Sequence, residues 1–561
     1  MEIKGTELFV KALRSEGVDK VFCYPGGMAI DLFDSLYDAK DIDMILPRHE
    51  QGLAHAADGY ARTTGKVGVC LVTSGPGATN LVTGIATANY DCVPMVCFTG
   101  QVPRDLIGND AFQEIDIVGI TRNICKYAVT VRDRKDLATV IKKAFYVART
   151  GKPGPVVVDL PMDIQRAMGP DDYPEEIAIR GYKPPTSVHV GQLKKAMTTL
   201  KNAKRPVILA GGGVKIAGAG EDLTRFAKAM NIPVMTTILG KGCVPTNDPL
   251  YIGNIGMYGN YASNTAVSEC DVLLAIGVRF SDRITGTIET FAPKAKIIHI
   301  DIDTAAISRN IVVNIPIVAD AKKALDEMNQ HTARCKTEEW LKEIDKWKAE
   351  NTISMKDYKG MTPEKIIGEI NKAFPHADVV TDVGQNQLWT TQYLEMDGKR
   401  KLLTSGGLGT MGYGLPAAIG SSIGNPGKPV ICIAGDGGAQ MNIQELATAV
   451  VYKTPVIFCI LNNTYLGNVR QMQDMFYKGR YSATYLGRGE KQSYIPDFVK
   501  LAESYDALGI RVTDESEIAA AFKKAKANKK GPTVIEFCID SKYDVYPMVP
   551  GGKALTDMLL K

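Results

Sequence analysis

Short apolar runs recur along almost the whole chain, each closed by glycine, proline or a polar turn: KVGVCLVTS, PVVVDLP, PVILAGGG, DVLLAIG, KIIHIDID, ADVVTDVG, PVICIAGDG and PVIFCILNN. Their Val/Ile content predicts strands, and the near-continuous apolar character predicts burial on both faces. Stretches of helical period lie between them, such as ATNLVTGIATANY and MNIQELATAVVYK. Alternation of the two kinds predicts an α/β fold of doubly wound parallel sheets. An acidic, then proline-rich stretch at 171–187 reads as a linker, and a charged stretch at 332–360 as an exposed helix and a connection. Three such units are expected, 1–170, 188–330 and 361–545, followed by a tail at 546–561. The first and third both set a glycine-rich turn between a buried strand and a helix, a pattern compatible with duplication of one α/β unit.

Composition narrows the function classes. With 45% hydrophobic and 23% charged residues the 561-residue chain is ordinary for a globular protein, which sets aside disordered, collagen-like and coiled-coil classes. Lys and Arg number 66 against 62 Asp and Glu, a net +4, too weak a field to predict a nucleic-acid partner. The 11 cysteines are scattered without a Cys-x-x-Cys pair, and Cys432 and Cys459 sit inside predicted strands. Buried thiols in a reducing, cytoplasmic setting are the expectation. No run reaches the roughly 18 apolar residues of a membrane span, and the N-terminus lacks a signal-peptide pattern, so no membrane partner is expected. His49 and His55 are the only close histidines, at a spacing unlike a zinc site.

The richest stretch for chemistry runs from Pro429 to Asn463. A buried strand leads into Gly435-Asp436-Gly437-Gly438, a helical stretch follows, and a second strand ends in Asn462-Asn463. A right-handed βαβ unit would bring Asp436 and Asn463 together at the carboxyl ends of adjacent parallel strands, where open α/β sheets bind ligands. A carboxylate, an amide oxygen and backbone carbonyls suit Mg²⁺, and glycines allow amides to approach a diphosphate. An ordinary turn and an asparagine cap would explain either end alone, but not both at this separation. Earlier in the same unit, Gly407–Gly412 (GLGTMG) also fits the dinucleotide pattern G-x-G-x-x-G, without a convincing preceding strand.

GDGG followed by NN at this distance resembles the signature of thiamine-diphosphate-dependent enzymes. Over essentially the whole chain the resemblance is closest to the acetohydroxyacid (acetolactate) synthase large-subunit family. It is carried by YPGG (24–27), RHEQG (48–52), TSGPGATN (73–80), DAFQE (110–114), VRFSDRITG (278–286), TSGGLGTMGYGLPAAIG (404–420), QMNIQELATAV and VYPMVPGGKAL. The resemblance implies the thiamine-diphosphate-binding fold, with the cofactor held between two subunits. Glu50 from one subunit would face its aminopyrimidine and favour the imino tautomer. Tyr24, Pro25, Thr73, Gly77, Asn80, Gln385, Asn386, Gly409, Met411, Asp436, Gly437, Gly438, Asn463 and Gly467 would line the cofactor. Asp436, Asn463 and the carbonyl of Tyr465 would bind Mg²⁺. Gly27 and Gln113 would polarise the donor carbonyl, and Phe112 would pack near the substrates. Arg283 would take the acceptor's carboxylate, which its fork of donors matches; the alternative is a surface pair with Asp282.

The same resemblance implies FAD, without net redox chemistry, in the central unit. Gly211, Gly212, Gly213, Thr236, Leu239, Met257, Gly277, Arg279, Arg283, Asp301, Ile302 and Asp320 stand at the matching positions. The chain departs from the family where the substrate channel is expected. Met472 replaces a usual tryptophan, Asn468 and Met162 replace a methionine and a lysine, Met28 an alanine and Asn386 a histidine. Met472, Asn468 and Met162 are therefore the candidate specificity residues.

The expected reaction is decarboxylation of pyruvate and ligation of the hydroxyethyl unit to pyruvate or 2-oxobutyrate, opening branched-chain amino-acid biosynthesis. A homodimer or dimer of dimers and a regulatory small subunit are the expected partners. The alternative is another thiamine-diphosphate-dependent carboligase or decarboxylase of a different 2-oxo acid.

Overall fold

The computed structural model describes residues 2–487 and 495–561. Three six-stranded sheets, all parallel, organise the chain. The first is built from β1 (Lys20–Tyr24), β2 (Asp43–Ile45), β3 (Gly68–Val72), β4 (Met95–Gln101), β5 (Tyr127–Thr130) and β6 (Pro155–Pro161). The second contains β7 (Pro206–Ala210), β8 (Val234–Thr236), β9 (Tyr251–Asn254), β10 (Val272–Ile276), β11 (Lys296–Asp301) and β12 (Ile315–Val318). The third has β13 (Asp378–Thr381), β14 (Leu402–Leu403), β15 (Val430–Gly435), β16 (Val456–Asn462), β17 (Leu508–Val512) and β18 (Thr533–Cys538). Strands β4, β6 and β16 are buried along their whole length, in keeping with their largely apolar sequences.

The first sheet runs β2-β1-β3-β4-β6-β5 and the third β14-β13-β15-β16-β18-β17, which is the same order. The shared topology agrees with duplication of one unit. The central sheet runs β9-β8-β7-β10-β11-β12, the strand order of dinucleotide-binding folds. Each of these sheets has a point near its middle where the winding reverses: between β1 and β3, between β7 and β10, and between β13 and β15. A crevice opens at such a point because the flanking connections leave on opposite faces.

Helix α1 (Glu50–Thr64) of the first sheet's layer crosses α3 (Gly414–Gly424) of the third. The crossing is backbone to backbone, since a Cβ at Gly59 or Gly420 would fall inside the carbonyl of Ala417 or Ala56. A buried polar network surrounds it. Arg62 bridges Asp58 (2.6 Å) and Asp91 (2.9 Å), and Tyr413 donates to Asp58 (2.7 Å). The charged stretch near 340 forms α2 (Glu338–Glu350), whose inner face buries Trp340 and Ile344 against the central layer. It is thus amphipathic rather than simply exposed, and Trp340 donates its indole N–H to the carbonyl of Pro206 (3.2 Å). Among the described residues no helix is long and apolar enough to cross a membrane.

Candidate active site

Strands β15 and β16 are paired so that Gly435 stands opposite Leu461. Asp436, the first residue of α4 (Asp436–Met441), and Asn463, just past β16, therefore emerge side by side. Asp436 Oδ1 accepts the N–H of Asn463 (3.4 Å), whereas Oδ2 is buried without a partner. Asn463 Oδ1 accepts from the N–H of Tyr465 (3.0 Å). Burial pushes the Asp436 carboxyl up to about 7, against the pull of nearby backbone N–H groups. An orphaned buried carboxylate oxygen beside a side-chain amide oxygen is a donor set that a hard divalent cation fits. The two glycines after Asp436 stand in close quarters. A Cβ at Gly438 would fall on the Asp382 carboxylate, and one at Gly437 would lie 2.7 Å from Leu466.

Asp382 is a residue that sequence reasoning missed. Its buried carboxylate accepts the N–H groups of Val383 (2.8 Å), Gly412 (3.0 Å) and Gly414 (2.9 Å). Asp91, from the first layer, takes those of Gly406 (3.0 Å) and Gly407 (2.7 Å). The two carboxylates pin a strap in which Gly409 and Gly412 adopt φ of +74° and +87°. Met411 on this strap ends 3.6 Å from where a Gly437 Cβ would stand. GLGTMG is consequently a pinned loop after β14, not the strand-to-helix turn of a dinucleotide site. Gln385 donates to Gln471 (3.1 Å) and to the carbonyl of Tyr543 (3.3 Å), with its Oε1 toward Asn463. Asn386 spends its amide N–H groups on the carbonyls of Asp382 (3.1 Å) and Ile433 (2.8 Å), tying β13 to β15. Gly467 begins α5 (Gly467–Tyr477), where a side chain would collide with Gln385 and Asn463.

A second cluster forms at the reversal of the first sheet. Tyr24 pairs with Val72, so Pro25 to Gly27 and Thr73 leave adjacent strand ends together. Thr73 Oγ1 accepts the N–H of Met28 (3.3 Å). Glu50 opens α1 and accepts from Asn80 (3.0 Å), with Gly77 between it and Thr73. Gln113 holds φ of +60° with its backbone against Gly75, while Phe112 is 81% exposed. Among the described residues no hydrogen bond joins the Glu50 cluster to the Asp436 cluster.

In the central layer Gly211–Gly213 and Gly277 meet across the β7/β10 reversal. Gly277 has φ of +61°, and a Cβ at Gly211 would strike its carbonyl. Thr236 ends β8, Leu239 packs against Gly212, and Asp301 ends β11 just before Ile302. Burial pushes the Asp301 carboxyl up to about 6. Asp320 is occupied as a helix cap, accepting from Lys322 (3.0 Å) and Lys323 (3.1 Å). Arg279 reaches the strap at Gly407 and lies over Tyr90. Arg283 is two-thirds exposed, 3.4 Å from the Met257 sulfur and 3.9 Å from Asp282. With Met257, Gly286, Val549 and Leu555 it lines a cavity of about 200 Å³ under the C-terminal tail.

Three family models cover this architecture. They are the N-terminal TPP binding domain, the central domain and the C-terminal TPP binding domain of thiamine pyrophosphate enzymes, matching residues 3–120, 193–328 and 382–537. The acetolactate synthase large subunit of Haemophilus influenzae is 44% identical, over 100% of this chain and 98% of its own. The probable acetolactate synthase large subunit of Methanocaldococcus jannaschii is 47% identical, over 99% and 95%. Acetolactate synthase isozyme 3 large subunit of Escherichia coli is 42% identical, over 100% and 98%. The chain belongs to the acetolactate synthase large-subunit family.

As a member of that family it is a thiamine-diphosphate-dependent enzyme; the Glu50 cluster lies in its N-terminal TPP binding domain and the Asp436 cluster in its C-terminal one. The candidate specificity residues fall in two places. Asn468 and Met472 are one turn apart on α5, directly beyond Gly467. Met162 opens the short helix Met162–Arg166 after β6, and the Met28 carbonyl accepts from Gln165 (2.8 Å).

Proposed function

We propose that this protein is an acetolactate synthase: it decarboxylates pyruvate and joins the two-carbon unit to a second 2-oxo acid, pyruvate or 2-oxobutyrate. The observation that carries the reading is the buried, unpartnered Asp436 oxygen beside Asn463 at the β15/β16 edge. Asp436, Asn463 and Tyr465 would hold Mg²⁺, and bare Gly437 and Gly438 would admit the diphosphate. Thiamine diphosphate, when bound, supplies the carbon nucleophile that 2-oxo acid decarboxylation and ligation require. Glu50 would hold a proton at its carboxylate against the aminopyrimidine, and Met411 would support the cofactor from below. Gly27 and Gln113 would orient the donor carbonyl, with Phe112 excluding water. Arg283 would clamp the acceptor carboxylate in the cavity beneath the tail.

A complete centre in this reading needs Glu50 from one copy and Asp436 from another, which makes a homodimer or a dimer of dimers the active form. FAD would occupy the β7/β10 crevice, where the strand order, Gly211–Gly213 and Asp301 match a nucleotide site. The family's division into large subunits supports a regulatory small subunit as partner. Eleven free thiols agree with a cytoplasmic setting.

The test is product identification with thiamine diphosphate and Mg²⁺, first with pyruvate alone and then with added 2-oxobutyrate. Acetolactate, joined by 2-aceto-2-hydroxybutyrate in the second mixture, is the expected result. Acetaldehyde as the main product would instead mark a decarboxylase.

A further inference from the structure

Tyr258 follows Met257 on the central layer, and its hydroxyl donates to Asn468 Oδ1 on α5 (3.1 Å). Both ends of this bond are anchored to the proposed chemistry. On one side Met257 donates its N–H to the carbonyl of Arg283 (2.9 Å), and its own carbonyl accepts from Val549 of the tail (2.7 Å). A Cβ at Gly256 would fall on the same Arg283 carbonyl, so this turn and the Arg283 turn cannot slide past each other. On the other side α5 starts against Gln385 and Asn463. Its inner face is fixed by fully buried Gln471, which accepts from Gln385 (3.1 Å) and Val545 (3.0 Å) and donates to the carbonyl of Val545 (2.9 Å). The phenol is mostly removed from water, and burial pushes it up to about 12, so it stays a donor throughout the working pH range.

The bond therefore spans the space between the Arg283 turn and the helix that begins at the Asp436 cluster. Met472, one turn beyond Asn468, lies on the same side of α5. A hydrogen bond of ordinary length holds a separation more sharply than an apolar contact does, because it weakens steeply with distance and angle.

We propose that the Tyr258–Asn468 hydrogen bond fixes how far the Arg283 turn, which lines the acceptor cavity under the tail, stands from α5, making the two residues a specificity-determining pair that favours the smaller acceptor, pyruvate, over 2-oxobutyrate. The inference rests on the carboligase reading above. One additional methylene in a pocket of fixed width is the kind of difference that such a spacer discriminates, typically by roughly 10-fold.

The experiment compares wild type, Tyr258→Phe, Asn468→Ala and the double variant in mixtures of pyruvate and 2-oxobutyrate. The ratio of the two ligation products is measured, with total pyruvate consumption as internal reference. Each single variant is expected to shift the ratio toward the 2-oxobutyrate product by roughly 5-fold. The shift should sit in the acceptor KM rather than in kcat, and the double variant should match the singles, as expected of residues acting as one unit. Ratios within twofold of wild type in both singles would overturn the proposal, as would multiplicative effects in the double. If wild type forms no ligation product, the carboligase reading itself fails. Relative affinities for pyruvate and 2-oxobutyrate, titrated by protein fluorescence, then decide the pair: a shift of the same size supports it, and unchanged relative affinity overturns it.

Discussion

The carboxylate of Glu445 accepts the backbone N–H groups of Arg48 (3.0 and 3.1 Å) and His49 (3.1 Å), the latter 396 positions earlier in the chain. Glu50 is the next residue. Glu445 is buried, takes a further bond from the Thr448 hydroxyl (2.6 Å), and presses so closely on Gly52 that a Cβ there would lie 2.5 Å from Oε1. The stretch that continues from the Asp436 turn thus fixes the start of the helix bearing Glu50.

Glu445→Ala should consequently remove the acceptor of several buried bonds and release Glu50. A loss of about 1–3 kcal/mol in stability is expected, with a fall in kcat of roughly 10-fold or more. Glu445→Gln keeps an acceptor oxygen and should recover most of both. Urea melts together with steady-state kinetics on the pair check this. Equal kcat in Glu445→Ala and wild type would remove the positioning role.

Asp436→Asn separates binding from folding. The carboxylate oxygen left buried without a partner makes the metal-free protein pay for its site, so the neutral amide should leave the melting temperature of the apoprotein unchanged or higher. Affinity for thiamine diphosphate with Mg²⁺ should fall by roughly 10-fold or more, since one charged ligand is lost. Cofactor titrations by fluorescence and melting curves of the apoprotein give the two numbers.

His55 adds an acid-side weakness to the α1–α3 crossing. Its ring is fully buried, edge-on to Tyr413, with both nitrogens unpartnered. Burial, helped by Arg62, pushes its pKa down to about 3 from an ordinary 6.5. The unfolded chain binds a proton below pH 6.5 that the folded one refuses until about pH 3. Stability should therefore fall as pH drops through that window, by about 1.4 kcal/mol per pH unit at most. Asp159, pushed up to about 6 by burial, acts with the opposite sign: its folded form prefers the proton, so its contribution is lost as pH rises through 6. His55→Gln isolates the histidine. Its stability difference from wild type, measured at pH 7 and pH 5, should narrow or reverse at the lower pH; a constant difference would show that His55 does not titrate on unfolding.

Gly420→Ala tests the helix crossing sterically. The new methyl would occupy the Ala56 carbonyl, so α1 and α3 must separate, at a cost of about 1–3 kcal/mol or more. A lowered melting temperature with reduced activity is expected, because the displaced helix also carries Glu50. Gly218→Ala, at a glycine with φ of +63° and open space around it, serves as a comparison that is strained locally without disturbing the crossing.

Much of the fold was legible before any coordinates. PVICIAGDG and PVIFCILNN read as adjacent buried strands, and β15 and β16 pair in parallel with Asp436 and Asn463 at their ends. The reading worked because apolar run length, glycine turns and the handedness of βαβ units are local constraints. It was less complete where polar groups serve the scaffold. Asn386, expected at the cofactor, also has a scaffold role that local sequence does not show, since its amide N–H groups bond two backbone carbonyls. Asp320, expected near FAD, likewise also caps a helix with its carboxylate. Asp382 and Glu445 drew no notice, although an aspartate directly after a buried strand, as in ADVVTDVG, was a signal available for the first.

The sequence by itself determined the strands, the turns that only glycine can make, and the residue types able to bind a diphosphate and a divalent cation. These follow from backbone sterics and from the burial of apolar side chains, which act over a few residues. Only the tertiary structure decided which buried polar groups meet: Glu445 with the start of α1, Asp382 with the Met411 strap, Tyr258 with Asn468. Those pairings join segments tens to hundreds of residues apart. They arise because a carboxylate or amide removed from water must find a partner wherever packing has brought one, and local sequence carries no record of that neighbour.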